Sequence, residues 1–183
     1  LDANDTVLDA CAAPGGKTVH MASFIEKGTV HALDIHEHKI RLIQQNAERM
    51  HVSDIIDTHL LDAKEVGTVF QPNSFDTIFV DAPCSGLGLM RRKPEIKYGV
   101  TEQMIRDLHE EQLAILKAVT PLLKENGRLV YSTCTLAPEE NQETVTAYLS
   151  EHPNMKKKAI DFNQVAIPNG IAFDVGMVRI SPD

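Results

Sequence analysis

No apolar run in this 183-residue chain approaches the ~20 residues that a membrane helix needs, so no membrane-spanning helix is expected. The charged-then-apolar pattern of a secretory signal is missing from the first residues. Disulfide chemistry is poorly served: Cys11, Cys84 and Cys134 lie far apart and are odd in number, which fits a reducing, cytoplasmic setting. A metal site is not expected, because there is no C-x-x-C pair and the eight histidines show no H-x-x-x-H spacing. "HEH" at 36–38 reads instead as an exposed helix start. Basic residues are outnumbered 18 to 26, giving a net charge of −8, which disfavours a stand-alone nucleic-acid binder. Any such role must rest on a local patch or on another domain. Repeats and low-complexity segments are lacking too. The chain opens on Leu1 rather than Met, beside what reads as a core strand, and is expected to be a fragment of a larger protein.

What is present is ordinary for a globular domain, 43% apolar and 24% charged, and long enough to bury one core. Strand-like runs at 6–10, 28–35, 55–62, 75–82 and 127–134 alternate with helical patterns. The helices are expected after Gly15-Gly16, over 37–50, over 101–123 and from Pro138 to 152, with acids in the last one's first turn. The 101–123 pattern places Met104, Ile105, Leu108, Ile115, Leu116, Val119 and Leu122 on one face. Such alternation defines the α/β class: a doubly wound, mostly parallel, Rossmann-like sheet. A core over 1–152 is expected, with 153–183 completing the same domain. After Pro153 only one strand, near 176–180, is suggested, and a truncated or poorly ordered end is expected.

Ligands of such sheets bind at the carboxyl ends of the strands. Asp9, Asp34, Asp62 and Asp81 stand at those ends, with Cys84 and Cys134 close by. The first of these ends carries "DACAAPGGKT", nearly a phosphate-binding G-x-x-x-x-G-K-[ST] loop. "TIFVDAP", ending in Asp81, would supply the magnesium ligand of a nucleoside triphosphatase. However, Cys11 replaces the first glycine, and Pro14 has no N–H to offer a phosphate. A nucleoside without a triphosphate fits better. Cys11, Ala12, Ala13, Pro14, Gly15, Gly16 and Lys17 would line it, with Gly15 and Gly16 allowing close backbone approach. Asp34, 18 residues after Gly16, would hold ribose hydroxyls, and Asp62 would meet an adenine amino group. S-adenosylmethionine has those parts and no phosphate. Lys17 has three candidate partners: Asp9, Asp81 or a ligand carboxylate.

"DACAAPGGKT", "DAPCSGLG" (81–88) and "YSTCT" (131–135), in this order, resemble three motifs of the RNA cytosine-5 methyltransferases, the NOL1/NOP2/Sun family. "DAPCSGLGLMRRKPEIKY" is most similar to the bacterial RsmB or Sun type, which acts on 16S ribosomal RNA. The resemblance spans roughly residues 1–152. It implies the Rossmann-like methyltransferase fold, S-adenosylmethionine as cofactor and RNA as partner. It also implies an RNA-recognition domain N-terminal to this chain, and a last sheet strand beyond "VRISPD". A monomer is expected.

The chemistry asks for a thiolate that adds to carbon 6 of cytosine, so that carbon 5 becomes nucleophilic enough to take a methyl group. The residues alone leave two candidates, Cys84 in Pro-Cys and Cys134 in Thr-Cys. The resemblance points to Cys134 as nucleophile and Cys84 as an aid to product release. Asp81 would hydrogen-bond the cytosine ring and border the cofactor. Arg91, Arg92, Lys93 and Lys97, against one acid, Glu95, would contact RNA phosphates. "KKK" at 156–158 reads as merely solvated. A triphosphatase and a non-catalytic RNA-binding module are the competing functions.

Overall fold

The computed structural model describes residues 1–159, 171–174 and 177–180. In chain order the elements are β1 (Thr6–Asp9), α1 (Gly16–Ala22), β2 (Thr29–Asp34), α2 (Glu37–Arg49), β3 (Ile56–Leu60) and β4 (Phe75–Asp81). Then come α3 (Ile96–Gly99), α4 (Glu102–Val119), β5 (Leu123–Ser132), α5 (Thr144–Glu151), β6 (Ile171–Asp174) and β7 (Met177–Ile180). Among the described residues no helix is long and apolar enough to cross a membrane.

The chain divides into two compact units. The first, the sheet unit, comprises Leu1–Pro83 and Glu111–Thr133. Its five strands run parallel in the order β3-β2-β1-β4-β5, so the expected doubly wound sheet is present. Parallel strands bury both faces, and the sequence supplies for this with apolar residues on consecutive positions. Val7 and Leu8 in β1, and Ala32 and Leu33 in β2, are all essentially inaccessible to solvent. Val7 and Val30 pack with Met21 and Ala22 of α1, while Ala32 packs with Ile40 and Ile43 of α2. Each large aliphatic side chain so buried stabilises the fold by about 1.5–3 kcal/mol.

The order reverses direction between β1 and β4, the switch point where ligands of such sheets bind. Asp9, Asp34 and Asp81 are the final residues of β1, β2 and β4, as the sequence reading expected.

The other unit comprises Cys84–Glu110 and the chain from Cys134 onward. It holds α3, α5 and an antiparallel pair, β6 with β7. Strand β7 answers the strand expected near 176–180, whereas β6 was not foreseen. The expected disorder of the chain end concerns residues largely outside those described.

Three boundaries differ from the sequence reading. Helix α4 stops at Val119 rather than 123, because Pro121 enters a 3-10 turn over Thr120–Leu122. Strand β5 therefore starts earlier, at Leu123, and its pairing with β4 shifts register where Asn126 adopts φ 63°. Met104, expected on the apolar face of α4, is 42% exposed, while Gln112 is fully buried with its Nε2 donating to the Pro83 carbonyl at 2.9 Å. The helix expected from Pro138 begins as a π-turn over Glu139–Glu143, and α5 proper follows.

Candidate active site

The loop joining β1 to α1 is tied down by its own backbone. The N–H of Ala10 donates to Phe79 O, that of Ala12 to Leu33 O and that of Gly15 to Ala12 O, at 2.9, 2.9 and 2.7 Å. The Cys11 N–H is given to the Asp9 carboxylate. Pro14, after a cis peptide bond, has no N–H at all. A phosphate cradle needs a run of free amides, and those of residues 10, 11, 12 and 15 are already committed. Gly15 adopts φ 98°, and a Cβ there would come within 3.0 Å of Ile43 Cα, so glycine is required. A Cβ on Gly16 would meet no protein atom within 4 Å, which leaves that face open. Asn46 Nδ2 donates to the Pro14 carbonyl at 2.7 Å and fixes the loop from α2.

The four strand-end acids divide in two ways. Asp9 is buried, accepts a 2.7 Å hydrogen bond from Thr18 Oγ1, and is walled off from any ligand. Its carboxyl is pushed up to about 6, mainly by burial. Asp34 accepts the His36 N–H at 2.9 Å through one oxygen, and Asp62 accepts the Lys64 N–H at 2.8 Å. In each case the turn orients the carboxylate and leaves its other oxygen free of backbone bonds. Asp81 is 35% exposed, pairs with Lys17, and accepts the Ser132 hydroxyl at 2.6 Å. Lys17 thus selects Asp81 from its three candidate partners. The Cys11 thiol is pushed up to about 12 by burial and by Asp9, so it is inert and lines the loop only passively.

In the other unit, Cys84 and Cys134 face each other with their sulfurs 3.0 Å apart. The Cys134 N–H donates to Cys84 Sγ at 3.2 Å. Cys134 is exposed and Cys84 half-buried. Burial first, and then the hydrogen bond with the Cys134 side chain, push the Cys84 thiol up to about 12. Cys84 therefore keeps its proton at neutral pH and can donate it toward Cys134. Gly88 allows the pairing of the two loops: its N–H donates to the Cys134 carbonyl at 3.0 Å, and a Cβ there would sit 2.8 Å from that oxygen.

Beneath the sulfurs lies a closed network that the sequence reading missed. Glu140, with no exposed surface, accepts both the N–H and the hydroxyl of Ser85, and the Ser85 hydroxyl lies 2.7 Å from Thr135 Oγ1. Ser85 follows Cys84 and Thr135 follows Cys134, so a buried carboxylate braces both cysteine segments. The sequence expects an acid in this helix's first turn without assigning it a partner; the π-turn holds Glu140 buried. Its signal in the sequence, an acid one turn after "STCT", carries no information about burial.

Arg91, Arg92, Lys93 and Lys97 are all exposed, and none forms an ion pair with a described residue. Tyr98 beside them is 87% exposed and is not singled out by the sequence alone.

Elsewhere in the sheet unit, His31 of β2 meets Asp57 and His59 of β3. Spacing along one chain could not show this grouping, because the parallel register creates it, pairing His31 with Asp57.

The five-stranded fold, with its nucleoside-type strand ends, defines a Rossmann-like methyltransferase fold. The description 16S rRNA methyltransferase RsmB/F matches residues 1–183, and the chain belongs to that family. It is 47% identical over 154 residues to the probable ribosomal RNA small subunit methyltransferase B of Bacillus subtilis, covering 84% of this chain and 34% of that protein. The corresponding methyltransferase B of Yersinia pseudotuberculosis is 39% identical over 149 residues, with 81% and 34% covered. The chain thus spans about a third of the length of these curated relatives. Among solved structures, NSun6 from Pyrococcus horikoshii with SFG superposes with a TM-score of 0.80 at 31% identity, covering 97% of this chain and 43% of that one. A methyltransferase homolog protein from the same organism gives 0.70 at 31%, covering 81% and 46%.

The cofactor of this family is S-adenosylmethionine. The residues present fit it. Carboxylates Asp34 and Asp62 can accept from ribose hydroxyls and an adenine amino group. Gly16 leaves room for close approach, and the amides of residues 10, 11, 12 and 15 are already engaged within the protein.

Proposed function

We propose that this chain is the catalytic part of an enzyme that methylates carbon 5 of a cytosine in 16S ribosomal RNA through a transient Cys134 adduct. The observation that carries this reading is the unequal thiol pair. Cys84 is half-buried and held protonated, while Cys134 is exposed 3.0 Å away. A sulfur anion on Cys134 would lie within hydrogen-bond reach of the Cys84 S–H.

Cys134 Sγ adds to carbon 6, and the electron pair released into the ring makes carbon 5 nucleophilic. S-adenosylmethionine, when bound, supplies the electrophilic methyl group that carbon 5 takes up. The proton on carbon 5 then leaves to a base, the carbon–sulfur bond breaks, and Cys134 departs as thiolate. Cys84, still protonated, stabilises that departing sulfur by hydrogen bonding. Asp81, oriented by Lys17 and Ser132, is the group for the cytosine amino and ring nitrogen. Asp34 and Asp62, with the backbone of 11–17, hold the cofactor.

Arg91, Arg92, Lys93 and Lys97 contact RNA phosphates, and Tyr98 offers a stacking face for a splayed base. The target base must be unstacked for a thiol to reach carbon 6. An RNA substrate of this kind places the enzyme in the cytoplasm, with further RNA-recognition sequence N-terminal to this chain.

The test uses the full-length protein with small-subunit RNA from cells lacking it, and maps the methylated nucleotide by mass spectrometry. Cys134→Ala is expected to remove both methylation and the covalent adduct, whereas Cys84→Ala lets the adduct accumulate. The reverse pattern exchanges the two roles. Absence of any methyl transfer by the unaltered protein would leave the RNA-binding module as the correct reading. Binding of magnesium-ATP without binding of S-adenosylhomocysteine would restore the triphosphatase.

A further inference from the structure

We infer that His31, Asp57 and His59 form a binding site for a divalent cation of the zinc class on the outer strands of the sheet. Three facts meet there. The donor atoms form a nearly equilateral triangle: His31 Nδ1 to His59 Nε2 is 3.0 Å, His59 Nε2 to Asp57 Oδ2 is 3.3 Å, and His31 Nδ1 to Asp57 Oδ2 is 3.5 Å. Metal–ligand bonds of about 2.0–2.2 Å in a tetrahedron place neighbouring donors about 3.3–3.6 Å apart. Two sides of the triangle match those of such a site and the third, between the imidazoles, is shorter, so a small outward turn of one ring completes the three corners.

The second fact is the scaffold. His31 stands opposite Asp57 in the parallel register, and His59 lies two residues further along β3, on the same face. Ligands carried on paired strands are held more firmly than ligands on loops. The third is the setting. The His31 and His59 side chains are 20% and 22% exposed, and Asp57 is 58% exposed. Phe70 lies edge-on to both rings, with centroids 5.2 Å away in each case, and Phe75 backs His31 at 5.6 Å. One side of the triangle is thus walled by aromatic rings, and the carboxylate side opens to water, which would fill the fourth position.

Two imidazoles and one carboxylate suit borderline divalent cations such as Zn²⁺ or Co²⁺ and are poor ligands for Mg²⁺ or Ca²⁺. The bound ion would tie edge strand β3 to β2 and raise stability in proportion to its occupancy. This site is separate from Asp34 and Asp62 in sequence, and the inference stands whether or not the chain methylates RNA.

The bare triad competes with a simple hydrogen bond between the two histidines, and titration separates them. The intact chain is titrated with Zn²⁺, and with Co²⁺ as an optical reporter. One equivalent is expected to bind, raise the melting temperature, and give the visible cobalt bands of a tetrahedral nitrogen and oxygen site without a thiolate charge-transfer band. His59→Ala and Asp57→Asn are each expected to weaken binding by at least about 100-fold, since even outer partners of a metal contribute 10–100-fold. Both should leave S-adenosylhomocysteine binding unchanged, which shows that the variants fold. Failure to saturate with Zn²⁺ overturns the site. So does zinc binding that both variants retain, or a thiolate band showing that the metal sits on cysteines.

Discussion

The sheet unit and the cysteine unit hold their functional groups in opposite ways. At the strand ends, Asp34 and Asp62 are placed by topology: a strand stops, the next N–H turns back, and one carboxylate oxygen is fixed. Cys84 and Cys134 lie on irregular segments, and their placement falls to the buried Glu140–Ser85–Thr135 network. The first arrangement spreads the work over a whole sheet. The second concentrates it on one carboxylate, so the two regions should break differently.

The largest effect is chemical and falls on the cysteine unit. Cys134→Ala should lower methyl transfer by on the order of 10³-fold or more, read in single-turnover assays with the full-length protein. Residual activity within tenfold of normal would remove Cys134 from the mechanism. Glu140→Ala comes next, because it strips the acceptor from a buried N–H and hydroxyl. We expect a loss of about 2–4 kcal/mol in urea unfolding, with Glu140→Gln recovering part of it. A change below about 0.5 kcal/mol would show that the cysteine segments are braced elsewhere.

Asp9 tests the sheet unit. Its pKa of about 6 lies above the unfolded value of about 3.9, so the folded state binds the proton more tightly. The resulting stability is complete below about pH 4 and is lost as pH rises through 6, amounting to about 3 kcal/mol. Asp9→Asn should remove that dependence, so that the variant gains on the parent by about this much between pH 4 and 7. Parallel stability curves for the two proteins would contradict the burial of an ionisable Asp9. Gly15→Ala should cost about 1–2 kcal/mol through its left-handed backbone and the contact with Ile43. Cofactor affinity should fall with it. An unchanged melting temperature would mean the loop tolerates a Cβ. The smallest effect is expected at the surface. Replacing Arg91, Arg92 and Lys93 by Ala should flatten the salt dependence of RNA binding, by about 0.7 in the log–log slope for each phosphate no longer neutralised. An unaltered slope would return these residues to ordinary solvated charge.

The same contrast explains what could be read in advance. Alternating apolar runs and helical spacing disclose the sheet, and with it the positions of Asp34, Asp62 and Asp81 at or just beyond its strand ends. Cys84 and Cys134 are legible as residues close to strand ends, but the 3.0 Å approach of their sulfurs is not. Glu140, Ser85, Thr135, Ser132 and Asn46 escaped, because each acts through a partner distant in sequence: Glu140 and Ser85 are 55 residues apart, and Asn46 and Pro14 are 32 apart. Gln112 escaped for a related reason, since a polar residue on an apolar helix face gives no hint that a carbonyl awaits it. The His31 triangle belongs to the same class, being a product of register rather than of spacing.

The Asn46–Pro14 hydrogen bond has a consequence for the thermodynamics of ligand capture. Residues 10–15 are stitched to β4, β2 and α2 before any ligand arrives. A loop that is already ordered forfeits little conformational freedom on binding, so more of each contact appears as affinity. Removing that one side-chain amide from α2 would delete none of the residues proposed to hold the cofactor and still raise the entropic cost of reaching the bound state.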